Sequence, residues 1–344
     1  MIASKLVQPG RLFGFSLGKI PALLLAMAVV SAASCEACSQ GGSGGSSSGG
    51  SWLVGESALM LNINHDSLGE IGHYDLQINE DLLGIACRGT REAWVVGAHG
   101  LLIATADAGG SWNVLDPRVA GDLRAVALAL PNTVLVAGDG GVGLVSPDGG
   151  SHWRALAAPA VPWTSAALRK ADGAFGLLVS ATGVIARYDA ATGAVSEVGR
   201  GGAALRSVVI SRDGANAAAV GDAGQLLVSR DGGQSFAPRA LGTGASLRDV
   251  WLIGPAGDRF VAVGEQGLVL EGPIGPGAVT TRSVGADASL RALHMQANGH
   301  GMIVGDRGAV FFTEDFGTSW ARLPTDETRN ILGVDALDFG AEHY

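Results

Sequence analysis

Four aspartates stand in one recurring pattern, Ser/Thr-x-Asp-x-Gly-x-x-aromatic, which is the clearest candidate for chemistry in this sequence. The aspartates and their aromatic partners are Asp107 with Trp112, Asp148 with Trp153, Asp231 with Phe236, and Asp315 with Trp320. Such a carboxylate could serve as an acid or base, but it can equally accept backbone N–H groups within its own turn. Four copies favour the structural role, in which the Gly adopts a positive φ and the aromatic packs between neighbouring sheets.

A second set of residues combines arginines with acids. The arginines occupy one position of four similar segments, LRAVAL, LRSVVI, LRDVWL and LRALHM, as Arg124, Arg206, Arg248 and Arg291. In the same four repeats an acid follows a recurring glycine, as Asp139, Asp222, Glu265 and Asp306. Two roles remain open for these arginines: structural ion pairs, or a ring that grips an acidic or C-terminal segment of a partner. Both can hold, because an ion pair at a rim is worth only ~0–1 kcal/mol and a partner could compete for it.

The elements that must position these residues follow from a strict period. The recurring glycines are Gly55, Gly97, Gly138, Gly221, Gly264 and Gly305, with Ser180 in the equivalent place of one further copy. Successive members are 42, 41, 42, 41, 43 and 41 residues apart. Each unit offers about four short, β-branched strand segments separated by turn residues, which is the size of one propeller blade.

The two ends of the repeat region complement each other. The segment 51–62 matches only the later strands of a unit, whereas 330–340 matches only a first strand. Six complete units and this split one predict an all-β, seven-bladed β-propeller of four-stranded blades over residues 52–344. A blade built from both termini closes the ring and removes its open sheet edges. In an up-and-down blade, the arginine and the acid lie at the same end of the sheet, so they should meet near one mouth of the central channel.

Residues 1–34 have the features of a secretory signal peptide: three basic residues, no acid, an apolar run and then small residues. Cys35 directly follows Ala-Ala-Ser, which resembles a bacterial lipobox with Ala32 in the place of the usual Leu. Lipidation of Cys35 is therefore predicted, and the alternative is ordinary cleavage that leaves Cys35 and Cys38 to pair. Residues 35–51 are rich in Gly and Ser, which predicts a flexible tether between a membrane anchor and the propeller.

Composition excludes several classes of function. The formal charge of −9 becomes −12 without the three basic residues of the signal, which argues against nucleic acid as a partner. The segment 138–143 matches the dinucleotide fingerprint GxGxxG, but it coincides with a turn of the repeat and no helix follows. The seven histidines show no metal-ligand spacing. We therefore expect no cofactor, no metal and no catalytic residues.

The repeat as a whole, L-R-x-V…V-G-x-x-G…S-x-D-G-G-x-x-W, resembles that of photosystem II assembly/stability factor-like proteins, within the wider Asp-box (BNR repeat) propellers. The resemblance implies a seven-bladed, non-enzymatic assembly factor in which an arginine patch holds a client. Carried over by position, that patch would be Arg124, Arg206, Arg248 and Arg291. The resulting hypothesis is a monomeric, extracytoplasmic lipoprotein that binds a protein or peptide client, such as a segment of a membrane protein.

Two alternatives belong to other classes of function. A sialidase-like glycoside hydrolase needs a tyrosine nucleophile with an acidic partner. Outside the signal, the tyrosines are Tyr74 in a loop-like segment, Tyr188 in a degenerate turn and Tyr344 at the end of the chain. A carbohydrate-binding propeller could stack a sugar on Trp163 or Trp251, although packing between blades is the favoured role of both.

Overall fold

The computed structural model describes residues 29–30, 50–64, 71–285 and 288–336. The predicted lipidation site Cys35, the proposed cleavage point and residues 35–49 of the tether lie outside the described residues. The strands form seven radial sheets, and six of these sheets contain four antiparallel strands. The seventh sheet is a four-stranded blade that also pairs β1 (Val29–Val30) with its outer strand. The prediction of a seven-bladed, all-β propeller is therefore confirmed.

The blades are numbered along the chain from the first complete one. Blade 7 contains the early strands β2 (Gly50–Gly55), β3 (Met60–Asn64) and β4 (Ile71–His73). Blade 1 contains β5 (Leu82–Arg88), β6 (Glu92–Gly97), β7 (Leu102–Thr105) and β8 (Trp112–Val114). Blade 2 contains β9 (Leu123–Ala129), β10 (Thr133–Gly138), β11 (Gly143–Ser146) and β12 (Arg154–Ala155). Blade 3 contains β13 (Trp163–Leu168), β14 (Phe175–Ser180), β15 (Val184–Asp189) and β16 (Val195–Arg200).

The second half of the chain continues the same order. Blade 4 contains β17 (Leu205–Ile210), β18 (Ala217–Gly221), β19 (Leu226–Ser229) and β20 (Ala237–Pro238). Blade 5 contains β21 (Leu247–Ile253), β22 (Arg259–Gly264), β23 (Leu268–Pro273) and β24 (Thr280–Ser283). Blade 6 contains β25 (Leu290–Met295), β26 (Gly301–Gly305), β27 (Val310–Thr313) and β28 (Ala321–Leu323). The last strand, β29 (Ile331–Ala336), returns to blade 7.

Ring closure takes place in blade 7. Strand β29 pairs antiparallel with β2, with Ala336 opposite Ser51 and Gly333 opposite Val54. The first strands of consecutive blades lie side by side around the ring, and β29 contacts both β25 and β5. The first strands therefore line the central channel, and the C-terminal strand closes it.

The core lies between the blades. Seven apolar clusters fill the seven interfaces between adjacent blades. The second strand of each blade is nearly continuous apolar sequence and is buried along its length, as expected for a strand covered on both faces. The outer strands β12 and β20 are short and exposed, which limits edge-to-edge pairing with other chains.

Most turns between the second and third strands are compact. After the recurring glycine in blades 1, 2, 4, 5 and 6, a three-residue 3₁₀ turn follows, as in Asp139–Gly141 and Asp222–Gly224. The middle residue of each such turn is left-handed, for example Ala223 with φ 58°. Within the described residues, no helix has the length and apolar character needed to span a bilayer.

Candidate functional site

The predicted arginines lie together at one mouth of the channel. We call Arg124, Arg206, Arg248 and Arg291 the rim arginines, and Asp139, Asp222, Glu265 and Asp306 the rim acids. Each rim arginine is the second residue of a first strand, and each rim acid opens the 3₁₀ turn of the same blade. Because the first strands line the channel, the arginines of blades 2, 4, 5 and 6 share one end of it.

A β-bulge sets the orientation of each of these arginines. In blade 4, Leu205 pairs with Gly221 and Ser207 pairs with Val220, so Arg206 is the extra residue between them. The same shift of register occurs at the equivalent place in blades 2, 5 and 6. A bulge turns the extra side chain out of the ladder, and bulges are typical of barrel rims and of binding sites.

The bulge brings each arginine to the acid of its own blade. Arg124 grips Asp139 with two bonds, both 2.8 Å, from Nε to Oδ1 and from Nη2 to Oδ2. Arg206 holds Asp222 in the same way, at 3.0 and 2.5 Å. The remaining two pairs are joined by one hydrogen bond each of 2.6 Å, from Arg248 Nη2 to Glu265 Oε1 and from Arg291 Nε to Asp306 Oδ1.

These ion pairs are partly exposed to solvent. The side chains of the rim arginines retain 25–39% of their accessible surface. Hydrogen bonds from the arginine lower the pKa of Asp139 and of Asp222 below the usual value, and the charge of Arg248 also lowers that of Asp222. Neighbouring pairs in blades 4 and 5 therefore act on each other. A pair at this exposure contributes about 0–1 kcal/mol, so another carboxylate could replace the rim acid at small cost.

The other three blades carry uncharged residues at the bulge position. The bulge residue is Leu83 in blade 1, Thr164 in blade 3 and Leu332 in blade 7. Thr164 donates its hydroxyl to the carbonyl of Leu205 in the next blade, at 2.8 Å. Leu83 and Leu332 are half-buried and lie in adjacent blades. The sequence showed where the arginine was absent, but it did not show that the replacements form a partly apolar sector.

The Asp-box residues lie at the opposite end of the blades, where their carboxylates bond within the turn. Asp231 Oδ1 accepts the N–H groups of Gln234 and Ser235, both at 3.0 Å, and the Ser229 hydroxyl at 2.7 Å. Equivalent bonds hold the boxes of Asp107, Asp148 and Asp315. The aromatic residues of the four boxes lie in or against interface clusters, as Trp112, Trp153, Phe236 and Trp320. Each turn thereby fixes a side chain that joins two blades.

Replacement of an Asp-box carboxylate should weaken the fold modestly. We expect Asp231→Ala to lower the free energy of unfolding by about 1 kcal/mol, because water can partly replace the lost bonds in this exposed turn. Bonding to Ser235 and Ser229 lowers the pKa of Asp231 to about 2 in the folded state. The contribution is therefore present above the ordinary value of 3.8 and is lost as the pH falls towards 2. Urea unfolding of the wild type and the variant across this pH range measures the contribution. A difference in their free energies of unfolding that does not change with pH would contradict this role of Asp231.

Two carboxylates inside the channel were not anticipated from the sequence. Asp249 accepts the Ser207 hydroxyl at 2.5 Å and the backbone N–H of Leu293 at 2.8 Å, so it links blades 4, 5 and 6. Burial raises the pKa of Asp249 to about 6. Asp335 accepts the N–H of Cys87 at 2.7 Å and so links blade 7 to blade 1. In the sequence, the only sign of these two carboxylates was an acidic residue within a largely apolar first strand.

The residues considered for carbohydrate chemistry have structural surroundings. Tyr188 lies in strand β15 rather than in a turn, which corrects the sequence interpretation, and its hydroxyl accepts a bond from Arg154 at 3.1 Å. Its ring is 3% exposed, because the longer third strand of blade 3 carries it into the core. Trp163 is fully buried between blades 2 and 3, so it cannot stack on a sugar. Among the described residues, no three His, Cys, Asp or Glu side chains form a group that could hold a metal ion.

Comparison with known proteins places this geometry in context. The model of the family "Photosynthesis system II assembly factor YCF48" matches residues 46–191. A search of curated proteins found no match. The structure "YCF48 bound to D1 peptide" is similar with a TM-score of 0.62 and 18% identity, over 78% of this chain and 94% of that one.

Two further structures match over a comparable length. YCF48 from Cyanidioschyzon merolae has a TM-score of 0.58 and 18% identity, over 72% of this chain and 86% of that one. The WD40 β-propeller domain of Doa1 has a TM-score of 0.63 and 13% identity, over 74% and 86%. At such identities a structural likeness shows the fold alone, and the family match over residues 46–191 adds the type of repeat. Residues 46–191 therefore resemble the repeat of the photosystem II assembly factor family, and the described chain has the fold of a seven-bladed β-propeller.

Proposed function

We propose that this chain is a non-enzymatic assembly-factor-like protein that binds a protein or peptide client at the mouth bearing the rim arginines. The observation that carries the proposal is that a β-bulge aims four partly exposed arginines at one mouth of the channel. The YCF48 structure with a bound D1 peptide supports a peptide as the kind of client.

The rim arginines have the properties of a displaceable binding surface. The rim acids already hold the arginine side chains in one orientation. Little side-chain entropy is therefore lost when a client carboxylate replaces a rim acid as the partner of an arginine. Each resident pair is worth only about 0–1 kcal/mol, and a planar guanidinium binds a carboxylate with two parallel bonds. An acidic or C-terminal segment of a client fits this chemistry, and the half-buried Leu83 and Leu332 offer it an apolar contact on the other side of the mouth.

The proposal includes a place for the protein in the cell. The signal features of residues 1–34 support export, and the lipobox-like sequence before Cys35 supports a lipid anchor at a membrane surface. The Gly/Ser-rich sequence between Cys35 and Gly50 supports a tether, since a random coil of such composition and length spans about 20 Å on average. A monomeric propeller on such a tether would stay close to the membrane, where it can reach client segments that emerge from the bilayer.

Two sets of substitutions test the binding surface. Arg206→Ala, Arg248→Ala and Arg291→Ala together should release the client, because three consecutive blades lose their cations. The matched set Asp222→Asn, Glu265→Gln and Asp306→Asn frees the same arginines and should retain or strengthen binding. The tagged full-length protein is purified from its own envelope, and proteins recovered with each variant are identified by mass spectrometry. Recovery of the wild type in the detergent-extracted membrane fraction tests the anchor.

The two sets also separate binding from folding. Both variants should melt within a few degrees of the wild type, because each lost pair contributes about 0–1 kcal/mol. A client that stays bound to the arginine variant would contradict the proposed surface. A client that is lost equally from both variants, with unchanged melting, would show that the intact ion pairs rather than the free arginines are recognised.

A further inference from the structure

The channel is asymmetric near its other end. The fifth residue of the first strand is small in blades 1 to 4, as Ala86, Ala127, Ala167 and Val209. In blades 5, 6 and 7 it is Trp251, His294 and Asp335, three large or polar residues in a row. These three side chains contact one another in turn, Trp251 with His294 and His294 with Asp335, and so form one continuous polar and aromatic wall.

Asp335 lies at ion-pair distance from the imidazole of His294. Its Oδ1 lies 2.6 Å from His294 Nδ1 and accepts the N–H of Ala336 at 2.9 Å, while its Oδ2 accepts the N–H of Cys87 at 2.7 Å. The side chains of His294 and Asp335 are only 8% and 12% exposed. Both oxygens of Asp335 are thus occupied. Among the described residues, none forms a hydrogen bond with His294 Nε2.

Lys170 brings a positive charge to the same place. It belongs to the loop after β13 in blade 3, yet its ammonium lies 5.3 Å from the ring centre of Trp251 in blade 5. The rings of Trp251 and His294 are 4.7 Å apart. The structure, over the residues it describes, shows no acid within ion-pair distance of Lys170, which is exposed to solvent.

The charge of Lys170 also acts on two groups of other blades. Burial raises the pKa of Asp335, but His294 and then Lys170 outweigh it and lower that pKa below its usual value. Burial and Asp335 raise the pKa of the Cys87 thiol, and Lys170 opposes them. Asp335 and Cys87 belong to blades 7 and 1, across the channel from the loop that carries Lys170.

We propose that this mouth of the channel binds a carboxylate between the Lys170 ammonium and His294 Nε2, with Trp251 as the wall of the site. Donors of the protein already bond to both channel acids, Asp335 and Asp249, whereas no acid lies within ion-pair distance of Lys170 among the described residues. In its imidazolium form, His294 donates from both ring nitrogens, so Nε2 can donate to a bound carboxylate. A carboxylate has two oxygens and can accept from both cations at once.

Acetate is the first probe, and acetamide is its neutral control. Each is titrated into the propeller in a buffer free of carboxylates at about pH 5.5, where Asp249 is largely protonated and repels an anion less. The readout is the ring resonance of His294, assigned with His294→Gln. We expect acetate to shift this resonance to saturation and acetamide to leave it in place. The substitution Lys170→Met should weaken acetate binding about tenfold, the effect of losing one charge-assisted bond.

Arg322→Met is the matched control, because it removes an exposed cation from the outer strand of blade 6. It should bind acetate as the wild type does. Equal affinity in Lys170→Met and wild type, or an equal response to acetamide, would overturn the proposal. A short peptide with a free C-terminus, and its C-terminal amide, distinguish the source of the carboxylate. If the peptide with a free C-terminus binds more tightly than acetate, the ligand is the end of a protein chain. If acetate binds more tightly than the peptide, the ligand is a small molecule. None of these results depends on the rim arginines.

Discussion

Deletion of residues 330–344 is expected to unfold all seven blades rather than to fray one end. The deletion removes β29, which is the inner strand of blade 7 and contacts the first strands of blades 6 and 1. Without it, the ring is open between β25 and β5, and β2 presents an unpaired edge to the channel. Since every blade is held by its two neighbours, loss of one inner strand exposes two interfaces.

The buried side chains of β29 give the scale of the effect. Ile331 is fully buried and Val334 is 8% exposed, and both belong to the cluster between blades 6 and 7. Each contributes about 1.5–3 kcal/mol by burial. The deletion also removes the ladder with β2 and the bond from Cys87 to Asp335. Together these losses are comparable with the total stability of a domain, about 5–15 kcal/mol.

Circular dichroism and urea unfolding of the truncated protein measure this result. Two single substitutions in the same strand are its controls. Ile331→Ala should reduce the free energy of unfolding by about 2–5 kcal/mol, because it leaves a cavity in the interface. Leu332→Ala, at the half-buried bulge position, should cost less than about 1 kcal/mol. A truncated protein that melts as the full-length protein does would contradict closure by the C-terminal strand.

The number of blades and the way the ring closes could be predicted because both depend on a local pattern. A turn glycine at a spacing of 41 to 43 residues is visible without knowledge of the fold. The pairing of each rim arginine with an acid also follows from their positions within one repeat. Arg124 and Asp139, for example, are brought together by two adjacent strands and the turn between them.

The channel wall could not be predicted in the same way. Trp251, His294 and Asp335 share a position in the repeat, but no pattern in the sequence indicated that they contact one another. Their meeting depends on the packing of three blades around a narrow axis, and the contribution of Lys170 depends on the course of a loop from a fourth blade. Tyr188 was misplaced for a related reason: blade 3 extends its third strand, β15, to Asp189, where other blades begin the Asp-box.

The second large effect is expected at the recurring glycine, where Gly138→Ala should lower the free energy of unfolding by about 3 kcal/mol. The φ of Gly138 is −173°, an extended conformation that any residue can adopt, so the requirement for glycine is one of space. A Cβ atom at this position would lie 2.0 Å from the carbonyl oxygen of Asp122 and 2.9 Å from the Cα of Leu123. Both atoms belong to the backbone, so no side chain can move aside to make room. The expected loss of stability is therefore at the upper end of the range for substitutions that overpack a core.

Gly244→Ala is the matched control, because a Cβ there meets nothing within 4 Å. It should unfold at the same urea concentration as the wild type, or slightly above it, since alanine restricts the unfolded chain. Equal midpoints for Gly138→Ala and Gly244→Ala would contradict the steric argument.

The close approach at Gly138 lies beside a rim ion pair. The next residue, Asp139, donates its N–H to the carbonyl of Asp122 at 2.9 Å, and this bond sets the rim acid beside the arginine of the bulge. Blade 3 has Ser180 in the equivalent place, a turn of another shape, and neither the arginine nor the acid. Gly138→Ala should therefore displace Asp139 from Arg124 as well as destabilise the fold. If the mouth binds its client through free arginines, the folded fraction of this variant should still bind.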